Sequence, residues 1–309
     1  MSDFINKVKA IVLGHAIGDA LGVPVEFSER EELKDNPVTD MTGYGTYDVP
    51  AGCWSDDTSM SLCALDAISG EKVDFNLIMQ NFAKWYNEAE YTATDEVFDI
   101  GNTCCKAILN YERGNPYYEC GLSDERSNGN GSLMRIHPVA LAAYLRKGDY
   151  SSKLYLIEKA SALTHAHKRC KIACGIYSFV LWELIEKPDK ESVFVGLKKA
   201  KEYYAYEQEL AHFNALFNED FAKTPVDKIS GSGYVVDTLL AAVWCLLNTS
   251  NYSDCVLKAV NLGLDTDTVG AVTGGLAGAL YGLNGIPQAW KNALLKCDYI
   301  EHLCEKAFK

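Results

Sequence analysis

The sequence predicts an all-α fold: one orthogonal multi-helix bundle of about a dozen helices spanning residues 1–309, with no linker that would split the chain. Three observations carry the fold class. Apolar residues recur at i, i+3, i+4 spacing almost throughout. Alternating strand patterns are nearly absent, with "GVPVEF" at 22–27 the one short stretch that reads as extended. The segments that break the helical pattern, 36–57, 113–132 and 218–232, are rich in Gly, Asn and Asp.

The first helix opens on a Ser2-Asp3 cap and runs through Phe4, Val8, Ile11, Val12, His15 and Asp19 on one stripe. The spacing then predicts helices over 58–69, 75–88, 95–112, 138–147, 152–165, 169–186, 191–203, 233–248, 252–262, 268–281 and 287–305. Pro138 and Pro287 stand where first-turn prolines belong. Gly274, Gly278 and Gly282 recur four apart, a spacing that lets one helix lie close against another.

Composition narrows the function. The chain has 29 Lys and Arg against 42 Asp and Glu, a balance of −13. A nucleic-acid binder needs a basic footprint, so nucleic acid is an improbable partner. The 11 cysteines are odd in number, include the adjacent Cys104–Cys105 and form no CxxC, which fits free thiols in a reducing cytoplasm. No run of eighteen apolar residues predicts a membrane span, and the N-terminal stretch makes a poor signal peptide because His15 and Asp19 interrupt it.

Two acidic clusters stand out. Ser55-Asp56-Asp57-Thr58 and Asp265-Thr266-Asp267-Thr268 each precede an apolar helical run. Alone, either is an ordinary helix cap with a surplus acid. Together they offer carboxylate and hydroxyl oxygens, hard ligands that suit Mg²⁺, Mn²⁺ or Ca²⁺ better than zinc. Asp265 and Asp267 can share an ion only on a turn, which Gly263 permits. Glu26 is a third candidate acid. Asp19, on the apolar stripe, is expected to be buried as a tie between helices. "NGNGS" at 128–132 reads as a turn or as an anion-binding nest. Arg135 either adds charge to that loop or ties it down. The spacing His165-x-His167-x2-Cys170-x3-Cys174 matches no standard zinc finger, and a lone His165 contacting a ligand is the preferred reading.

The motifs "AIGDALGVPVEF", "WSDDTSM", "FDIGNT", "NGNGSLMR", "LTHAHKRC", "GSGYVVDTL" and "GLDTDTVGAVTGGLAGALYG" occur in that order over residues 11–282. In this the chain resembles the ADP-ribosylglycohydrolase family, and its bacterial branch most. The resemblance implies an all-α enzyme that removes ADP-ribose from a modified protein or small conjugate with two Mg²⁺ or Mn²⁺ ions. It implies Ser55, Asp56, Asp57, Asp265, Asp267 and Thr268 as metal ligands, Ser55 standing where many members have threonine. Glu26, with Asp56, Asp57 and Asp265, would serve catalysis. Asp99 and Asn102 would line the ribose, and Gly129, Asn130, Gly131, Ser132 and Met134 the diphosphate, with His165 and Tyr234 nearby. ADP-ribosyl-arginine is the first expected substrate. A serine- or acetyl-linked conjugate, a binuclear-metal nucleotide diphosphatase and a crystallin-like binder without turnover remain as alternatives.

Overall fold

The computed structural model describes residues 2–309, with side chains from residue 3 onward, so the expected Ser2 cap lies outside the described side chains. The described residues form fourteen α-helices: α1 (Ser2–Gly22), α2 (Arg30–Asp35), α3 (Asp56–Asp66), α4 (Phe75–Glu88), α5 (Asn102–Glu112), α6 (His137–Leu145), α7 (Tyr150–Ala162), α8 (Lys168–Glu186), α9 (Lys190–Tyr203), α10 (Val235–Leu247), α11 (Tyr252–Val260), α12 (Thr266–Tyr281), α13 (Gln288–Ala293) and α14 (Cys297–Phe308). Short 3₁₀ turns join several of them. The only paired strands among the described residues are two of two residues each, Ile68–Ser69 and Lys72–Val73. The all-α expectation therefore holds.

The centre of the molecule is the antiparallel pair α1 and α12. α1 is long and apolar enough to cross a membrane, yet nearly all of it is buried inside the protein. It is a core helix with apolar residues on every face, as a helix surrounded by other helices requires. The two backbones touch. A Cβ on Gly18 would lie 2.1 Å from the Gly270 carbonyl oxygen, and one on Gly274 would lie 2.1 Å from that of Gly14. Gly278 meets Ala10 in the same way, its Cβ position 2.0 Å from the Ala10 carbonyl oxygen. The small-residue stripe is therefore 270, 274 and 278. Gly282 is not part of it: it ends the helix at φ +71° with open space around its Cβ position.

Several boundaries differ from the sequence reading, each for a local reason. The helix expected over 95–112 begins at Asn102, because Asp95 and Asp99 adopt left-handed backbone conformations that Asp tolerates, and Phe98 leaves the helical stripe to pack on Tyr47, the tilted rings 4.9 Å apart between centroids. Residues 22–27 are not extended as a unit: Pro24 sits inside a 3₁₀ turn, Val23–Val25, and only Glu26 is extended. The helix expected over 287–305 is two helices, divided at Lys296 with φ +53°, and Pro287 caps the first of them from outside. Pro138 does occupy a first-turn position. α2 and the hairpin were not anticipated, being too short to develop a period.

Candidate active site

α3 and α12 begin at the same place. Ser55 caps α3, its hydroxyl accepting from the Asp57 N–H at 3.3 Å, so Asp56 and Asp57 occupy the first turn. Gly263 and Leu264 both have positive φ, 79° and 67°, and swing the chain so that Asp265 precedes α12 and Asp267 lies in its first turn. This is the turn that the Asp265/Asp267 spacing demanded. Thr268 donates from Oγ1 to Asp57 Oδ2 at 3.1 Å, joining the two helix starts. Both helices aim their positive N-terminal ends at the acids, which partly offsets the crowding of like charge.

Asp19 ties α1 to this corner. Its buried carboxylate accepts from the Ser55 N–H at 3.0 Å, the Thr58 N–H at 3.0 Å and the Thr58 hydroxyl at 2.6 Å. Gly22, three residues on, lies against Asp267: a Cβ there would be 2.4 Å from the Asp267 Cα. The end of α1 thus sets the positions of both acidic turns.

Glu26, Asp99 and Asp267 each place one carboxylate oxygen within 4.8 Å of the others. The Tyr47 hydroxyl lies beside Glu26 and Asp99. Burial, then the charge of Asp99, pushes the Glu26 carboxyl up to about 9. Burial, followed by neighbouring acids, raises Asp56, Asp57 and Asp267 well above the carboxylate range. Glu26 Oε2, Asp57 Oδ1 and Asp267 Oδ2 are buried with no hydrogen-bond partner. Unpaired buried carboxylate oxygens are costly in isolation. An all-oxygen donor set with orphaned atoms fits a hard divalent cation and does not fit zinc.

Above the acids opens a cleft of about 360 Å³. Of the expected site residues, Glu26, Asp56, Asp99, Asn102, Gly129, Asn130, Gly131, Met134, His165, Asp265 and Thr268 line it. Ser55, Asp57 and Asp267 lie beneath its floor, buried. Two expected residues stand elsewhere. Tyr234 lines an adjoining cleft of about 500 Å³ beside Arg169, with Gly129 and Gly233 shared between the two spaces. The Ser132 hydroxyl is fully buried and accepts from Ser161 at 3.0 Å, so it does not face the cleft. Asp99 stands nearer the acids than a purely ribose-lining role implies.

The 128–132 loop is held by the turn before α10. The Asn130 N–H donates to the Gly233 carbonyl at 3.0 Å, and the Val235 N–H to Asn128 at 3.0 Å. The Asn130 side chain donates to Asp265 Oδ2 at 2.8 Å and to Thr238 at 2.9 Å, tying the loop to the acids. Among the described residues the N–H groups of Gly129, Gly131 and Ser132 have no protein acceptor, which is what an anion nest requires. The histidines do not share a site. His165 Nδ1 lies 2.8 Å from Thr164 Oγ1, whereas His167 Nδ1 caps α8 by accepting from the Arg169 N–H at 3.2 Å.

Sequence reasoning did not name Phe27, Ile100, Gly101, Thr103, Cys104 and Gly233 of the cleft lining, nor Tyr47 beside its acids. Phe27 is 64% exposed at the rim with φ +65°, Thr103 and Cys104 line the α5 side, and Tyr47 sits beside two acids. Phe27 directly follows Glu26 and was within reach of the same motif; Tyr47 lies in an irregular loop with no periodic signal.

The sequence and the fold are similar to those of other proteins. The ADP-ribosylarginine hydrolase Tri1 of Serratia proteamaculans (strain 568) is 34% identical over 99% of the chain and 80% of that protein. The ADP-ribosyl-[dinitrogen reductase] glycohydrolase of Rhodospirillum rubrum is 32% identical over 94% of the chain and 90% of that protein. A solved structure titled "ADP-ribosylglycohydrolase-related protein complex" superposes with a TM-score of 0.81 at 29% identity, covering all of both chains. The sequence model of the family described as ADP-ribosylglycohydrolase matches residues 1–309. With the motifs, the fold and the whole length in agreement, the chain belongs to the ADP-ribosylglycohydrolase family.

Proposed function

We propose that this protein is a metal-dependent hydrolase that cleaves the N-glycosidic bond of ADP-ribosyl-arginine. The observation that carries the reading is the meeting of two acidic helix starts, with orphaned carboxylate oxygens, directly under a cleft walled by unpaired backbone N–H groups. The name of the relative at 34% identity, an ADP-ribosylarginine hydrolase, supports arginine as the leaving group.

Ser55, Asp56, Asp57, Asp265, Asp267 and Thr268 are the groups we assign to two Mg²⁺ or Mn²⁺ ions, with Glu26 and Asp99 facing the same space. Such cations, when bound, supply Lewis-acid charge that orients ribose hydroxyls and makes a water more acidic. The 129–132 backbone holds the diphosphate, and the ribose end is directed down toward the acids. Burial and the charge of Asp99 hold the Glu26 carboxyl above its ordinary range in the metal-free protein, and we assign Glu26 to handle the proton of the departing guanidine nitrogen. The walls around Glu26 and Asp267 exclude bulk water, which strengthens each electrostatic contact at the anomeric carbon.

The test is product analysis on the purified protein with ADP-ribosylated arginine, in Mg²⁺, in Mn²⁺ and in chelator. Free ADP-ribose appearing only with metal is expected. Release of AMP would assign a diphosphatase instead. Turnover confined to serine-linked ADP-ribose would move the leaving group to an oxygen.

A further inference from the structure

Arg135 has no part in the account above, and its setting is unusual. Its side chain is 1% exposed. It donates to the Ala160 carbonyl at 3.3 Å and to Thr164 Oγ1 at 2.6 Å, lies 4.8 Å above the Phe82 ring, and leaves Nε without an acceptor. Among the described residues no carboxylate pairs with it. A buried cation without a counter-ion is expensive, and something must draw on the charge.

What lies in front of Arg135 is His165. Thr164 Oγ1 stands between them, 2.6 Å from the guanidinium and 2.8 Å from His165 Nδ1. Guanidinium only donates. A proton on Nδ1 would turn the positive end of the imidazole dipole toward that cation. A bare Nδ1 turns the negative end toward it and accepts the threonine proton. The second arrangement is electrostatically favoured, and it leaves the ring proton on Nε2. That nitrogen faces the cleft, 3.7 Å from where a Gly129 Cβ would sit and 3.5 Å from the Gly131 equivalent. Gly131 cannot accept a side chain, because His165 Cε1 and the Cys104 sulfur would each be 2.9 Å from its Cβ. The ring edge and the backbone of Gly129 and Gly131 therefore border one space.

We propose that Arg135, acting through the Thr164 hydroxyl, fixes His165 in its Nε2–H tautomer and so makes the histidine a constant hydrogen-bond donor to the diphosphate. The inference rests on the reading that the cleft takes ADP-ribose. Arg135 is a positioning residue: its charge reaches the anion across Thr164 and His165 without contact. The placement solves a conflict within the site. A cation exposed in the cleft would pair with Asp56 or Asp265 and compete with the metals. Behind the histidine it can attract a diphosphate and stay clear of the acids. Burial and the same guanidinium push His165 down to about 3, so the ring stays neutral through the neutral pH range.

The tautomer can be read directly, without substrate or metal. In ¹⁵N–¹H correlation spectra of the histidine-labelled protein, with His165 assigned by its loss in His165→Asn, the pyridine-like nitrogen is expected at Nδ1. In Thr164→Val the preference for Nε2–H is expected to weaken, and the Kd for free ADP-ribose, read by calorimetry, to rise about tenfold or more. Mn²⁺ affinity is expected to stay unchanged, and Thr164→Ser to restore both readouts. Arg135→Met is expected to reproduce Thr164→Val if it folds. An Nδ1–H ring in the parent protein, or Thr164→Val binding ADP-ribose as tightly as the parent, would overturn the inference. If neither protein binds ADP-ribose while the tautomer is as expected, the ligand assignment fails and the diphosphate role with it, while the relay stands on the spectrum.

Discussion

Thr268 Oγ1 donates to Asp57 Oδ2 at 3.1 Å across 211 residues of chain. This bond spans the two acidic turns and orients a carboxylate whose other oxygen has no partner. Thr268→Val keeps the side-chain volume and removes the donor. Mn²⁺ affinity is expected to fall at least roughly 10–100-fold, because the change removes both an oxygen we assign to the metal and the donor that orients Asp57. Stability of the metal-free protein should change by no more than about 1 kcal/mol, because the hydroxyl there serves a group that repels its neighbours. Calorimetric titration with Mn²⁺ and a thermal melt in chelator read the two quantities.

Asp19 acts from outside the cluster. Asp19→Ala leaves the Ser55 and Thr58 N–H groups without their acceptor at a buried helix start. A loss of about 1–3 kcal/mol in stability is expected, together with weaker metal binding. Urea unfolding of the metal-free protein measures the first. A full retention of stability would show that water replaces the carboxylate.

Stability should fall as pH rises above neutrality when metal is withheld. Glu26 titrates at about 9 when folded against 4.5 for the ordinary group, so the folded chain retains a proton that the unfolded chain has already lost. Stability then declines as pH rises through that interval. The buried histidines act in the opposite sense at lower pH: His15 at about 4 and His165 at about 3, against 6.5, favour the fold above 6.5 and lose that contribution as pH drops. Between pH 6.5 and about 9 only the acids remain, and Tm in chelator should drop by at least about 2 °C, the shift roughly 1 kcal/mol produces in a chain of this size. Mn²⁺ should abolish the drop, because the ionised acids are the binding form. A flat profile in chelator would contradict the crowding of acids.

Gly22→Ala forces a methyl against the Asp267 backbone, with 2.4 Å available. Gly270→Ala forces one against the Gly18 carbonyl, also at 2.4 Å. Each should cost about 1–3 kcal/mol as overpacking. Their expected effects on metal differ: Gly22→Ala displaces Asp267, one of the residues we assign to the metal, and should weaken Mn²⁺ binding more per unit of lost stability. Paired melts and titrations separate the two.

Much of this was legible in the residues. The 3.6-residue period located most of the helices, because most of them bury one face against a neighbour. The acidic turns at 55–58 and 265–268 could be read because two acid-and-hydroxyl clusters each precede a helical run, and Gly263 marked the turn that sets Asp265 and Asp267 at the start of α12. Asp19 could be read as a tie because an acid on an apolar stripe must find donors. What escaped depended on tertiary contact. Val97 and Phe98 continue a helical pattern, yet Phe98 follows Tyr47 instead of the helix. Nothing in "GYGTYDVP" indicates that Tyr47 reaches Glu26 and Asp99. Ser132 belongs to the nest motif, yet it is fully buried behind the cleft, its hydroxyl held by Ser161.

The contact between α1 and α12 has a consequence for synthesis. α1 leaves the ribosome long before α12 has been made, and without α12 its glycine face has nothing to lie on. A helix apolar all round would meanwhile be exposed to any other sticky surface in the cell. The nascent chain should therefore lean on a holdase chaperone until Thr266 and the residues after it emerge, and fragments cut short of that point should aggregate through their first helix.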